Sequence, residues 1–153
     1  MGKYRFRLET LKRGRKTERD QQRIRLAEAC RANEILQQQR AELSRQRNQL
    51  HQQQRAAIQG PQVDIDQLSA IMRYEPVLRA QEETLREQQA VATEETERRR
   101  EDLVEANRHV RTLELLDTHR RAKRCQNELR QEAKQLDEAA TNMVWQTRFS
   151  RHS

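Results

Sequence analysis

A single Gly-Pro pair, Gly60 and Pro61, is the strongest punctuation in this chain. On its N-terminal side, Leu8 to Ile58 contains no proline and one glycine, Gly14, whose cost of about 1 kcal/mol against alanine a long helix absorbs. On its C-terminal side the only further proline is Pro76. A backbone so short of breakers is restricted to two long helices joined by one turn. At about 1.5 Å per residue the first spans roughly 75 Å and the second, counted from Pro76, roughly 110 Å.

The residues around the pair specify the turn. Gly60 is suited to a left-handed C-cap, and Pro61 cannot continue a helix. Asp64 then reads as an N-cap, with Gln67 completing a capping box and Val63 placed to staple against Leu68. Pro76 removes a backbone hydrogen bond and pushes Glu75 away from helical geometry, which predicts a kink or a short break at Tyr74 to Glu75. The expected layout is one coiled-coil domain: a helix over about 8–58, a turn at about 59–64, a helix over about 65–148 kinked near 74–76, and a frayed tail from about 149.

With 33% hydrophobic and 36% charged residues, the chain cannot fill a conventional core, and its composition matches long helices and coiled coils. The apolar pattern agrees. Leu36, Leu43 and Leu50 recur every seven residues, extended by Ala29 and Ala57, while Asn33, Arg40, Arg47 and Gln54 fill the alternate seam position after Leu26, giving a half-polar and weak seam. In the second helix Leu68, Ile71, Leu78, Leu85, Ala92, Leu103, Ala106, Val110 and Leu113 form the matching stripe. It then shifts phase to Leu115, Ala122, Leu129, Leu136 and Met143, so a change of supercoil is expected near residue 114. The predicted fold class is all-α, an antiparallel two-helix coiled-coil hairpin, monomeric at low concentration.

The two arms differ in length. If the turn is tight, facing residue numbers sum to about 123 and Leu8 meets Leu115; if Asp64 to Glu75 forms a separate segment, the sum rises to about 135 and Leu8 meets Asn127. In both registers Leu136, Met143, Trp145 and Phe149 lie beyond the partner helix. Trp145 is the sole tryptophan of a chain with 3% aromatic residues, so its place on an uncovered arm points to a surface kept for another molecule. The alternative is a frayed tail whose scattered apolar residues carry no role. The same registers set Cys30 against residues 93–105, far from Cys125, which excludes an intramolecular disulfide. Both cysteines read as small seam residues in a reducing compartment.

The formal charge of +7 and isoelectric point near 10.1 point to an acidic partner. The charge is polarised. Residues 1–25 hold ten Lys or Arg and three acids, whereas Glu82 to Glu105 holds nine acids and four arginines. Tracts such as KRGRKTERDQQRIR imitate a basic-region zipper. However, Glu18 and Leu26 stand where such a zipper needs asparagine and arginine, and acids are interleaved. Nucleic acid and a generic scaffolding coiled coil are the alternative function classes. His51, His109, His119 and His152 form no metal motif, and Glu105 with His109 is too small a ligand set. No P-loop, nucleophile elbow or dinucleotide fingerprint occurs; the expectation is a non-enzyme without cofactor or metal. No apolar run is long enough to span a bilayer. The start MGKYRFRL lacks an apolar signal block and has Phe6 where myristoylation needs Ser or Thr, so a cytoplasmic location is expected.

The stretches YRFRLETLKRGRKTERDQQRIRLAEA and VRTLELLDTHRRAKRCQNELRQEAKQLDEAA resemble the FliJ family of flagellar type III export proteins and its YscO-type injectisome counterparts. The matching features are the aromatic-basic-leucine start, the Glu-Arg-rich helix leading to Leu26-Ala27, the Leu113-Glu114 step and Asp137-Glu138-Ala139. The resemblance implies a stalk-like antiparallel coiled coil that sits in the pore of the hexameric export ATPase and favours its assembly. It also implies a link to the cytoplasmic domain of the export gate and contact with export chaperones. The protein would then lie at the cytoplasmic face of the inner membrane, through the apparatus. Carried onto this sequence, the ring-binding residues are Tyr4, Phe6, Leu8, Leu11, Leu136, Met143, Trp145 and Phe149. The gate-binding residues are Ile71, Tyr74, Leu78 and Leu85, which could equally pack against the first helix.

Overall fold

The structure, a computed structural model, describes residues 5–150. Two α-helices account for nearly all of them: α1 (Glu9–Gln59) and α2 (Ile65–Ser150). The helices pack against each other as an all-α hairpin, and no strand occurs among the described residues.

Pro61 ends α1. It carries no N–H to donate and disfavours helical geometry in the residue before it. The expected left-handed C-cap does not form, because no glycine among the described residues has a positive φ; proline alone is a sufficient stop. Asp64 caps α2 as expected, its Oδ1 accepting from the Gln67 backbone N–H at 3.1 Å and its carbonyl accepting from the Leu68 N–H at 3.0 Å.

Of the two outcomes expected at Tyr74 to Glu75, the break does not occur: α2 runs through Pro76 without interruption. Packing accounts for this. Ile71 and Leu78, on either side of the proline, are both buried, so tertiary burial holds the helix where its own hydrogen bonding is weakest. The carbonyl deprived of its donor belongs to Met72, an exposed residue, where water can take up the bond.

The chain divides into two compact units. The unit formed by Thr17–Ala106 has its core in Leu43, Leu50, Ile71 and Leu78, with Leu85 packed against it and Ala57 also buried. Leu78 is 0% exposed. On α1 the seven-residue series Ala29, Leu36, Leu43, Leu50 and Ala57 and the alternate series Leu26, Asn33, Arg40, Arg47 and Gln54 are all buried or half-buried. Between the helices Arg40 donates to Gln89 and Arg47 pairs with Glu82. Arg40 and Arg47 thus meet polar partners across the seam, while Leu43 and Leu50 cluster with Ile71, Leu78 and Leu85.

The second unit joins Met1–Lys16 to Asn107–Ser153. Its core contains Phe6, Val110 and the Asp117 side chain. Here Lys12 Nζ lies 3.1 Å from Asp117 Oδ2, and Lys16 lies 3.7 Å from Glu114.

These cross-helix pairs fix the register. Residue numbers of Lys12 and Asp117, Arg40 and Gln89, and Arg47 and Glu82 each sum to 129, midway between the two expected values. The reason lies at the start of α2. That helix begins at Ile65, yet its first buried side chain is Ile71, so more than one turn precedes the point where the seam closes. No phase shift follows at residue 114 either. Val110 and Asp117, seven apart, are both buried, whereas Leu115 is 54% exposed. The seam of α1 keeps a strict seven-residue spacing down to Lys12, and the facing seam keeps the same phase.

Candidate partner-binding surface

Around the beginning of α1, charge and one aromatic ring close the seam. The Asp117 carboxylate accepts from Lys12 and also from Arg121 Nε at 3.0 Å, which satisfies a buried charge from two sides. Glu9 stands 3.5 Å from the same ammonium. The hydrogen bond to Asp117 holds the Lys12 pKa above the ordinary lysine value; the charges of Asp117 and Glu9 act in the same direction, and burial opposes them. The Phe6 ring is buried, with the Lys12 ammonium and the Arg120 guanidinium each 5.7 Å from its centroid, both within cation–π range. A backbone hydrogen bond from Glu9 N–H to the Phe6 carbonyl, 3.1 Å, turns the chain so that the ring reaches this position.

Sequence reasoning missed this cluster although its signal was present. Carrying the alternate seam series back by sevens from Leu26 reaches Arg19 and then Lys12, which marks Lys12 as a seam residue needing an anion opposite.

The proposed ring-binding residues divide accordingly. Phe6 is buried in the cluster, Leu8 is half-buried and Leu11 exposed; Tyr4 lies outside the described residues. Beyond Asp117 no side chain of α2 is buried, and from Leu129 to Ser150 every residue is exposed. Leu136, Met143 and Phe149 are each at least 70% exposed and Trp145 58%. The Trp145 and Phe149 rings stack on each other at 6.4 Å between centroids. At about 100° per residue they project from the side of the helix roughly opposite Leu136 and Met143. Cys125 is exposed on this arm and Cys30 half-buried, both free thiols. Cys125 is therefore no seam residue: it lies past the last buried position of α2, Asp117.

Of the four residues proposed for the gate, Ile71 and Leu78 are buried in the Thr17–Ala106 core, Leu85 packs against it, and Tyr74 alone is exposed. An open groove of about 750 Å³ beside them is lined by residues including Gln39, Glu42, Val77, Gln81, Thr84 and Gln88. Glu42 is its one charged group. No cluster of three or more His, Cys, Asp or Glu suited to a metal ion occurs among the described residues.

A hairpin with two long helices, a half-polar seam and an uncovered end on the second helix is matched by one family model. That model, described as flagellar FliJ protein, covers residues 4–148. The chain belongs to the FliJ family. No curated protein and no solved structure matches it. FliJ membership makes the chain a component of flagellar protein export, in a family that is not catalytic. As a FliJ-family coiled coil it contains, among the described residues, no helix long and apolar enough to cross a membrane.

Proposed function

We propose that this chain is the stalk-like coupling component of the flagellar export apparatus. It engages the hexameric export ATPase through the uncovered end of α2, contacts the cytoplasmic domain of the export gate, and has export chaperones as further partners. Its place at the cytoplasmic face of the inner membrane follows from those partners. One observation carries the reading: Leu136, Met143, Trp145 and Phe149 are exposed on a helix with no intramolecular cover. Each forgoes about 1.5 to 3 kcal/mol by staying wet. A ring closing around the arm takes up groups that point in opposite directions, which a flat partner does not.

Leu11 on α1 and the exposed edge of Leu8 just before it extend this surface, while Phe6 packs against α2 beside them. Gate contact falls to Tyr74, with Ile71, Leu78 and Leu85 fixing its helix from the seam. A hairpin influences which conformation an ATPase subunit prefers only where its contacts differ between subunits. Two helices of unequal length, placed in a symmetric ring, supply that difference.

The test is ATPase hexamer assembly in the presence of the chain. Met143→Ala with Trp145→Ala is expected to weaken both binding and ring assembly by at least about tenfold. Assembly and binding equal to wild type would refute docking by this end.

A further inference from the structure

The exposed apolar groups past Asp117 follow a pattern. Leu129, Ala133, Leu136, Ala140 and Met143 succeed one another at steps of four and three. At about 100° per residue they occupy a sector of about 80°. This is the spacing of a coiled-coil seam, set on a different face from the one that meets α1 through Val110 and Asp117. Leu129 is 60% and Met143 70% exposed. The stripe the sequence offered to α1 after residue 114 is thus a second seam left free.

Two features of this seam say what covers it. Its large residues, Leu129, Leu136 and Met143, alternate with the small Ala133 and Ala140. Along one flank stand Arg130 and Asp137, both exposed, neither forming an ion pair among the described residues. A face so ordered is complementary to itself turned end for end.

We propose that it pairs antiparallel with the same face of a second copy of this chain, Leu129 seating against Ala140 and Leu136 against Ala133 of the other helix. The four layers from Leu129 to Ala140 then each set a large side chain on a small one, which lets the helices approach closely and interdigitate. Met143 closes each end against Gln126 of the other copy. In that register Arg130 lies opposite Asp137 of the second copy, and by twofold symmetry Asp137 lies opposite its Arg130. A parallel pair does neither. It aligns Leu129 with Leu129 and Ala133 with Ala133, and keeps Arg130 a full seven residues from Asp137 of the other chain.

This pairing does not depend on the ring reading, since it concerns the chain alone. Where both operate they compete: the pair covers Leu136 and Met143, so two copies separate before a ring can take them.

Sedimentation equilibrium of the full chain, from micromolar to near-millimolar concentration, tests the proposal on a Cys30→Ser background. Wild type is expected to show a monomer–dimer equilibrium. Arg130→Asp or Asp137→Arg alone places like charges in opposition and is expected to weaken the dimer by at least about tenfold; the two together restore it. Both side chains are exposed, and circular dichroism of each variant verifies that the helices remain. The antiparallel register also holds the two Cys125 thiols about 28 Å apart, so mild oxidation leaves the dimer without a covalent link. Monomer mass at every concentration, a double variant no tighter than the singles, or a rapid Cys125–Cys125 disulfide would each overturn the proposal.

Discussion

Single side chains decide how the end of the hairpin closes. Asp117 is the shared acceptor of Lys12 and Arg121, so Asp117→Ala removes two charge-assisted hydrogen bonds and is expected to lower stability by about 2 kcal/mol in urea unfolding. The Lys12 pKa is raised by Asp117. For a raised lysine, the stabilisation is fully present below the unfolded pKa of about 10.4 and disappears as pH climbs through the higher folded value. Melting followed by circular dichroism should therefore show a loss as pH rises above the ordinary lysine range that Lys12→Met lacks. Gly14 makes the opposite case. A Cβ added there meets nothing within 4 Å, so Gly14→Ala is expected to gain about 0.5 to 1 kcal/mol in the same unfolding measurement. At this scale the sequence was legible where spacing alone mattered. Leu43, Leu50, Ile71 and Leu78 are core as their seven-residue spacing predicts; the same spacing marks Lys12, whereas Phe6, which stands before α1 with a cation from each helix beside its ring, falls outside any repeat.

Elements behave less locally than their residues do. Pro76 predicts a fault in α2, and burial of Ile71 and Leu78 on both sides carries the helix through it. Relieving that local cost by Pro76→Ala is expected to raise stability by about 1 to 3 kcal/mol without altering helix content, again by urea unfolding. The register was legible only as a pair of bounds, because it depends on how far α2 must run before its seam faces α1. Polar seam positions settle it: Arg40 against Gln89, Arg47 against Glu82 and Lys12 against Asp117 agree on one value. The half-polar seam, which costs stability, thereby specifies alignment. The register places Asn33 near the buried Thr96, and the buried Asn33 Oδ1 has no hydrogen-bond partner, a further cost at the same seam.

For the molecule as a whole, the consequence is a division between what the hairpin keeps and what it offers. Both units bury a narrow seam, and no side chain of α2 past Asp117 is buried. The length difference between the arms is legible from the position of Gly60-Pro61, and with it the uncovered end; the second seam within it is not, because the same leucines also fit a continuation of the first. Membership of the FliJ family gives that end a setting in flagellar export, and the exposed groups give it a means of attachment. The sole tryptophan lies within it, so its fluorescence is the most direct probe. In dilute solution Trp145 emission should be that of a water-exposed indole, quenched freely by iodide. On adding the hexameric export ATPase it should shift to the blue and become shielded from the quencher. Emission and quenching that stay unchanged while the complex forms would contradict the claim that this end of α2 is what the ring holds.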